Sequence, residues 1–475
     1  MGITLTSVAP FVLAAIAYLI VAFTTAVKAK RQKLPVVPFI LPWMGNFFEF
    51  RHDPVQFMKS CRRKYGPAYK VLLAGQNIIV LSHYKGIASL NKDSTDSFTG
   101  QKVHMRILNV ITGIDKNLDH LFEVLNTRLY LPLAQSLSPT SMTAIADDIQ
   151  HNLSTELRAL MPLQLENSTI LRLDVLISRP LYRAGCLTLF GPTFPLDTFN
   201  DFQLLDSKHP QLLMGFPFMA SEAVRARKRL VKTFETFLAP LWAGEAVEGV
   251  SDLISTVVQE MQVTLTLREA ACLLLLFTFG FHSNTWYMVF WLVSHLLVQE
   301  ESFELIRKEC LASQKTGAGT PLIDSAVQEI LRWATTNTTI REATKDTYLM
   351  MDEEPIFVAK GDFVMADVQS LHYDPEVYPS PDAFKVDRFL DNGSKTETLK
   401  PAAFGGGAHI CPGRHLATFE IKRFLTIFLQ HYKIKAVMKD GEIPRLPRVN
   451  RRDYIGTLRA SEAFYVELSP IDFES

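Results

Sequence analysis

The chain has 475 residues, of which 48% are hydrophobic and 21% charged, ordinary proportions for one large folded domain. Its 49 basic and 49 acidic side chains leave no net field that would attract nucleic acid, so a nucleic-acid-binding function is not expected. The five cysteines are odd in number and scattered, which argues against a disulfide scaffold and for a reducing compartment: Cys61, Cys186, Cys272, Cys310 and Cys411. Four of them are expected to pack as small apolar groups.

A long uncharged stretch lies near the N-terminus, at residues 8–27. Roughly 20 apolar residues at about 1.5 Å each span the ~30 Å hydrocarbon core of a membrane. Basic residues follow between positions 28 and 33, and this positive flank places the rest of the chain in the cytosol. A cleaved signal peptide, the alternative, has a basic start and a shorter apolar core. We therefore predict a single transmembrane helix with its basic flank over residues 1–33.

The body of the chain opens with a proline-rich segment at residues 34–42, a stiff spacer because proline restricts the φ angle. Hydrophobic periodicity then predicts amphipathic helices over 115–160 and 221–242, a β-hairpin over 69–82, and further strands at 348–368 and 463–468. No internal repeat is present. The pattern predicts one domain that is mostly α with small β-sheets (α+β).

Residues 270–298 form a long apolar stretch, interrupted by Gly280 and by the polar run 282–285. A second membrane span is one interpretation of this stretch. Polar residues near the middle of a span cost several kcal/mol in lipid unless they face protein or water. We therefore favour a long buried helix that carries functional polar groups at its middle.

The most informative stretch is the glycine-rich loop of residues 404–414, which contains Cys411 and leads into a helix. Consecutive glycines permit positive φ angles and a close approach of the backbone to a flat cofactor. A helix N-terminus favours a thiolate, and a thiolate bound to haem iron favours O–O cleavage. We therefore predict that Cys411 is the axial haem and metal ligand. A buried thiol in a tight turn is one alternative, and a zinc site of His409, Cys411 and His415 is another, although zinc prefers four well-spaced ligands.

The loop resembles the signature of the cytochrome P450 family, in which Phe, Gly, the haem-ligating Cys and a further Gly follow at set spacings. Phe404, Gly407, Cys411 and Gly413 match these positions. His409 stands where the family usually has an arginine that contacts a haem propionate. The resemblance covers essentially the whole chain and implies the cytochrome P450 fold with haem b. Residues 34–475 would then be the haem-thiolate catalytic domain.

Three further positions are similar to family motifs that support the haem site. Glu329 and Arg332 share one helix face, as in the family's Glu-x-x-Arg motif, and the resemblance implies a buried structural pair joined by Arg388. Arg341, which enters a strand, is implied to meet a haem propionate. The sequence lacks the Trp-x-x-x-Arg motif that often supplies another propionate contact, and three residues are candidates to replace it: His104, Arg106 and Arg128.

The central helix departs from the family pattern, in which an acid and an alcohol side by side help to deliver protons. One alignment, counted from Gly280, places His282 and Ser283 at these two positions. A second alignment, counted back from the Phe-Trp pair at 290–291, places Ser283 and Asn284 there. The two alignments assign different side chains to proton delivery.

The second alignment resembles the family branch that contains cholesterol 7α-hydroxylase and prostacyclin synthase, as does the segment 338–341. We favour it, with Ser283, Asn284 and Thr285 as catalytic candidates. Asparagine forms hydrogen bonds but is no acid, so protons would arrive through water, the substrate or Thr285.

The resemblance implies a monooxygenase that oxidises a lipophilic small molecule with O₂ and with electrons from NADPH. A separate reductase would supply the electrons, because the chain has no flavin or nucleotide motif. The substrate is expected to be a terpenoid, steroid or other secondary metabolite, such as those of fungi, in a pocket formed by Phe277, Phe281, Thr338 and Thr339. The enzyme would lie in the endoplasmic reticulum membrane with its catalytic domain in the cytosol.

Two alternatives remain. One is a haem-thiolate isomerase or dehydratase that uses no NADPH, motivated by Asn284. The other is a non-catalytic haem- or sterol-binding protein.

Overall fold

The computed structural model describes residues 16, 18–20, 23, 32–92, 97–160, 169–215, 217–336, 338–351, 354–390, 399–407, 410–438, 442–453 and 456–471. These residues form a mostly helical protein with small β-sheets, as the sequence predicts. Most of the predicted anchor at 8–27 lies outside them. Within the described residues, no helix combines the length and apolar character needed to cross a membrane.

The α-helices of the described residues are α1 (Phe47–His52), α2 (Pro54–Tyr65), α3 (Tyr84–Lys92), α4 (Gln101–Thr112), α5 (Leu118–Val124), α6 (Tyr130–Ser136), α7 (Thr143–Leu160), α8 (Leu173–Phe190), α9 (Phe199–Leu213), α10 (Ser221–Trp242), α11 (Asp252–Gln262), α12 (Leu267–His282), α13 (Thr285–Leu297), α14 (Glu300–Thr316), α15 (Pro321–Ala334), α16 (Val368–His372) and α17 (Arg414–His431). The predicted helix over 221–242 corresponds to α10. The helical stretch 115–160 contains α5 to α7, with a π-helical turn at Leu125–Leu129 between the first two.

The strands are β1 (Ala68–Leu73), β2 (Gln76–Leu81), β3 (Phe98–Thr99), β4 (Thr169–Arg172), β5 (Thr338–Ala343), β6 (Thr347–Leu349), β7 (Ile356–Val358), β8 (Phe363–Asp367), β9 (Tyr432–Val437) and β10 (Tyr465–Pro470). The largest sheet has the order β1-β2-β8-β5-β3, and the smaller ones are β4-β10-β9 and β6-β7.

The predicted hairpin is formed by β1 and β2, with Leu73 paired to Gln76. The two turn residues between them, Ala74 and Gly75, have φ angles of +46° and +81°. Positive φ at both positions gives a two-residue turn the twist that matches its strands. Because β2 also pairs in parallel with β8, the hairpin is joined to the later strands that flank the site.

The apolar stretch 270–298 forms two helices rather than the one long helix expected from the sequence. A capping box starts α12, in which the Thr266 and Glu269 side chains each bond the other's backbone N–H. The helix ends at His282, and α13 begins at Thr285. We call the two residues between them, Ser283 and Asn284, the central break.

The second of these helices, α13, lies in the protein core and packs against α8, α15 and α17. Trp291 on α13 is fully buried, and its indole N–H donates to the Leu458 carbonyl at 2.7 Å. This packing brings the central break close to the helix with the Glu-x-x-Arg spacing and to the helix that follows the cysteine loop.

Candidate active site

The glycine-rich loop places Cys411 directly before α17. The Cys411 N–H donates to the Phe404 carbonyl at 2.9 Å, which closes the loop. Gly405 and Gly407 have φ angles of +71° and +63°, in the left-handed region where side chains are strained. The path of the loop therefore requires glycine at both positions.

The middle glycine of the three, Gly406, is needed for a different reason. A Cβ atom there would lie 2.5 Å from Nδ2 of Asn91 on α3, so the loop backbone approaches that helix closely.

His409 lies outside the described residues, and its contact with a haem propionate stays a prediction.

Cys411 differs from the other cysteines in its exposure and surroundings. It is half-buried, whereas the remaining four are buried. Burial raises the pKa of the Cys411 thiol, while a hydrogen bond from the Gly413 N–H and the charge of Arg414 lower it. The sequence predicts a backbone N–H donor at this helix start, but burial outweighs it. A metal cation on the sulfur reverses that balance, because a coordinating thiol loses its proton.

Cys411 opens onto a largely apolar cavity of about 300 Å³, which we call the distal cavity. One wall is formed by the cysteine loop and the first turns of α17. The central helices α12 and α13 form another wall around the central break, and the end of α15 and the C-terminal loop complete the enclosure. Phe277, Phe281, Asn284 and Thr285 line this cavity together with Cys411.

Ser283, expected beside Asn284 at this cavity, is turned away from it. The Ser283 hydroxyl is buried and donates to Oδ1 of Asp206 on α9 at 2.6 Å. Its neighbour His282 packs against the rings of Tyr182 and Phe202, at centroid distances of 5.0 and 5.9 Å. The alignment counted from Gly280 therefore places both of its residues outside the cavity.

Thr338 and Thr339 also do not line the cavity. They lie on β5, where they pair with Asp367 and Ala366 of β8. Before that strand begins, the chain pairs with the C-terminal loop through Thr335, and Thr335 lines the cavity instead. The prediction for Thr338 and Thr339 is therefore wrong, and an earlier residue of the same segment faces the cavity.

The residues present fit a haem group. Gly280 lines the cavity, and the space where its Cβ would stand is open, so a flat group can lie close to the central helix. The cysteine thiol and the apolar side chains supply an axial ligand and a dry surface for such a group. The described residues contain no cluster of three or more His, Cys, Asp or Glu with metal-binding geometry, but the zinc alternative includes His409, which lies outside them.

Arg341 on β5 is buried, with 3% of its surface exposed, and its Nε has no hydrogen-bond partner among the described residues. Burial lowers the pKa of this guanidinium. His104 of α4 lies beside it, since a Cβ on Gly100 would be 2.8 Å from the His104 ring and 3.5 Å from an Arg341 nitrogen. A buried cationic group requires a partner, and a haem propionate has the charge to provide one.

The other two candidates for a propionate contact are engaged elsewhere. Arg106 donates to the Leu213 carbonyl at 3.2 Å, at the end of α9. Arg128 lies 3.7 Å from Glu260 in an exposed ion pair. Of the three, the structure brings His104 next to Arg341.

Glu329, Arg332 and Arg388 form a buried network. The Glu329 carboxylate accepts from Arg332 Nε and Nη2 at 2.8 Å each, from Arg388 Nε at 2.8 Å and from the Lys385 N–H at 3.0 Å. Arg332 also donates to the His372 carbonyl at 2.9 Å. The network ties α15 to the segment that leads toward the cysteine loop.

Sequence reasoning missed Glu420 on α17. This residue lines the cavity and is buried, and burial raises the pKa of its carboxyl to about 8. The carboxyl is therefore protonated at neutral pH. One sequence signal was available: Glu420 lies four residues after Leu416, and thus on the same helix face.

A larger groove of about 920 Å³ runs along α2 and α16, away from Cys411. Its charged residues pair with one another, as Arg62 does with Asp374 and Lys59 with Asp382 at 3.3 Å. It contains none of the predicted site residues.

A cysteine thiol at an apolar cavity, a glycine-rich loop before a helix and a buried Glu-Arg-Arg network together define a haem-thiolate site. Residues 35–457 match the family described as Cytochrome P450, and the chain belongs to that family. The family implies a haem iron with thiolate ligation.

Several curated proteins are similar over most of the chain. "Cytochrome P450 7A1" of Oryctolagus cuniculus is 25% identical, with 86% of this chain and 87% of that protein covered. "Cholesterol 7-alpha-monooxygenase" of Cricetulus griseus is 24% identical over 88% of this chain and 90% of that protein. "7-alpha-hydroxycholest-4-en-3-one 12-alpha-hydroxylase" of Homo sapiens is 25% identical over the same shares, 88% and 90%. The likeness agrees with the branch expected from the sequence, and the chain is a cytochrome P450 monooxygenase.

Proposed function

We propose that this monooxygenase hydroxylates a sterol, steroid or related terpenoid in the distal cavity. The proposal is supported above all by one observation: Cys411, Asn284 and a set of apolar side chains line the same cavity. The printed names of the relatives, which describe monooxygenases and hydroxylases of cholesterol and cholestenone, support this substrate class. We further propose that NADPH electrons arrive through a separate reductase, and that the enzyme sits in the endoplasmic reticulum membrane through residues 1–33.

When bound, haem supplies the oxygen-activating chemistry of the reaction. Cys411 would hold the iron through its sulfur, and Arg341 with His104 would meet the propionates. Phe277 and Phe281 would orient the lipophilic substrate and exclude water from the cavity.

Asn284 and Thr285 would hold the water molecule that delivers protons into the distal cavity. The Thr457 hydroxyl donates to Oδ1 of Asn284 at 3.2 Å, which leaves the amide N–H groups to hold a water molecule in the cavity. The Thr285 hydroxyl donates to the Phe281 carbonyl at 3.2 Å and retains acceptor capacity for the same water.

The test uses the haem-loaded, full-length chain. The reduced protein with carbon monoxide should absorb at about 450 nm, because the Cys411 thiolate would ligate the haem iron. Cys411→Ala should abolish this band, whereas the matched control Cys61→Ala, at a buried cysteine of α2, should keep it. An unchanged band in Cys411→Ala would overturn the haem assignment.

The substrate class is tested by titration with cholesterol, 7α-hydroxycholest-4-en-3-one and a terpenoid alcohol, with the haem absorption spectrum as the readout. A sterol should shift the spectrum and, with NADPH and a reductase, give a hydroxylated product with matching O₂ consumption. Turnover without NADPH or O₂ consumption would instead support the isomerase or dehydratase motivated by Asn284.

A further inference from the structure

A buried carboxylate lies directly behind the central break. Asp206 of α9 has 1% of its surface exposed. Its carboxylate accepts from the Ser283 hydroxyl at 2.6 Å, from the Tyr287 hydroxyl at 2.7 Å and from Arg459 Nη2 at 3.1 Å. Asp206 therefore joins α9 to the central break and to the C-terminal loop.

Two of the donors to Asp206, Ser283 and Tyr287, lie on either side of Asn284 in the sequence. Ser283 directly precedes it in the central break, and Tyr287 lies in the first turn of α13. One carboxylate thus holds both sides of the break through its two oxygens. Backbone bonds remain on either side of the break, from the Ser283 N–H to the Phe279 carbonyl at 3.0 Å and from the Met288 N–H to the Asn284 carbonyl at 3.2 Å. The side-chain bonds to Asp206 add a tether between Ser283 and Tyr287.

The same carboxylate also holds the C-terminal loop that covers Asn284. Arg459 donates to the Asp206 carbonyl at 2.7 Å, and its guanidinium lies over the Tyr287 ring at 4.6 Å. Two residues earlier in this loop, Thr457 donates to Oδ1 of Asn284.

The fit between the loop and Asn284 is close. A Cβ on Gly456 would lie 2.4 Å from Oδ1 of Asn284. Any displacement of the loop would therefore move the amide that faces the distal cavity.

We propose that Asp206 is a positioning residue for the monooxygenase reaction. It orients the Asn284 amide in the distal cavity by holding the central break on one side and the loop of Arg459 and Thr457 on the other. The inference rests on the proposed role of Asn284. Asp206 does not line the cavity, so it acts through these neighbours rather than on the substrate.

The donors around Asp206 match a carboxylate better than an amide. Ser283 and Tyr287 each donate one hydrogen bond, and Arg459 brings a buried positive charge. An amide in place of Asp206 offers a single acceptor oxygen, and the hydroxyl that faces its NH2 group must turn from donor to acceptor. Arg459 would keep its bond to the backbone carbonyl of residue 206 and the nearby charge of Asp453, but it would lose the carboxylate that ties the loop to the central break.

The test measures the C–O stretching frequency of the reduced haem–carbon monoxide complex, which responds to polar groups around the bound gas. Asn284→Ala should shift this frequency, and Asp206→Asn should shift it in the same direction. The double variant should show no further shift, because Asp206 acts through Asn284. Product formed per NADPH should fall roughly 10–100-fold in Asn284→Ala, in line with loss of a proton-transfer partner, and should also fall in Asp206→Asn.

Asp201→Asn is the matched control, since Asp201 lies on the same helix but pairs with the exposed Arg229 at the surface. It should leave the frequency unchanged. If Asp206→Asn does not take up haem, Ser283→Ala removes one bond to Asp206 while keeping the Arg459 pair, and should give the same shift.

Asn284→Ala must first shift the C–O frequency. If it does, an unchanged frequency in Asp206→Asn would overturn the positioning role. Where Asp206→Asn does not take up haem, an unchanged frequency in Ser283→Ala would do the same. An additive shift in the double variant would also overturn it. Absence of the ~450 nm band in the parent chain would be a failure of the proposed function itself.

Discussion

Replacement of Glu329 by glutamine tests whether the buried Glu-Arg-Arg network stabilises the catalytic domain. The carboxylate is fully buried and accepts four hydrogen bonds between 2.8 and 3.0 Å, three of them from arginine nitrogens. Glutamine keeps the shape but removes the charge, and its N–H groups would face the donors of Arg332 and Arg388. Two buried guanidinium groups would then lie close together without a counter-charge.

The expected loss of stability follows from this geometry. Removing one partner of a buried ion pair costs about 3–5 kcal/mol, because the other charge stays buried. The backbone carbonyls that accept from Arg332 and Arg388 remain, so we expect a value within this range rather than above it. Since folded domains are stable by about 5–15 kcal/mol, such a loss leaves a much smaller margin.

The assay is urea unfolding of Glu329→Gln beside the parent chain, with haem content per mole of protein measured from the ~450 nm band. Glu462→Gln is the control, because Glu462 also accepts from two arginines, Arg445 and Arg448, but these are exposed. Exposed pairs contribute about 0–1 kcal/mol, so this control should behave like the parent. The reasoning fails if Glu329→Gln unfolds within about 1 kcal/mol of the parent and retains full haem content.

Two further predictions concern the distal wall and the response to acid. Asn284→Ala should keep the ~450 nm band but reduce product per NADPH roughly 10–100-fold and release more peroxide, and unchanged coupling would contradict the role of the amide. Burial lowers the pKa of His282, His295 and His372 to about 3 and that of His209 to about 4, so these side chains bind protons only when the chain unfolds. Their contribution to stability is complete above the unfolded pKa of about 6.5 and is lost as the pH falls, toward 4 for His209 and toward 3 for the other three. His295→Phe, between the rings of Phe384 and Trp333, should lower the slope of stability against pH by about 1.4 kcal/mol per unit between pH 6 and 4 in urea unfolding series, and an unchanged slope would refute this.

Features that depend only on residues close together in the chain could be predicted from the sequence. The cysteine loop was readable because its glycines need positive φ angles and its cysteine directly precedes a helix. The helix over 221–242 and the hairpin over 69–82 were readable because their apolar periods and turn residues act within a few positions. Glu329 and Arg332 share a helix face by spacing alone. That the pair is buried with Arg388 required the family resemblance.

Which residues of α12, α13 and the central break face the cavity could be seen only in the three-dimensional structure. The sequence left Ser283 and Asn284 as neighbours at one site, but in the structure Ser283 bonds Asp206 while Asn284 lines the cavity, since consecutive helical residues point in different directions. That break is held by Asp206 from another helix and by Arg459 from the C-terminal loop, whose proximity no local pattern reveals. Helical period predicts a face only while the backbone hydrogen bonds remain regular. Where they are interrupted, the long-range partners of each side chain set its direction.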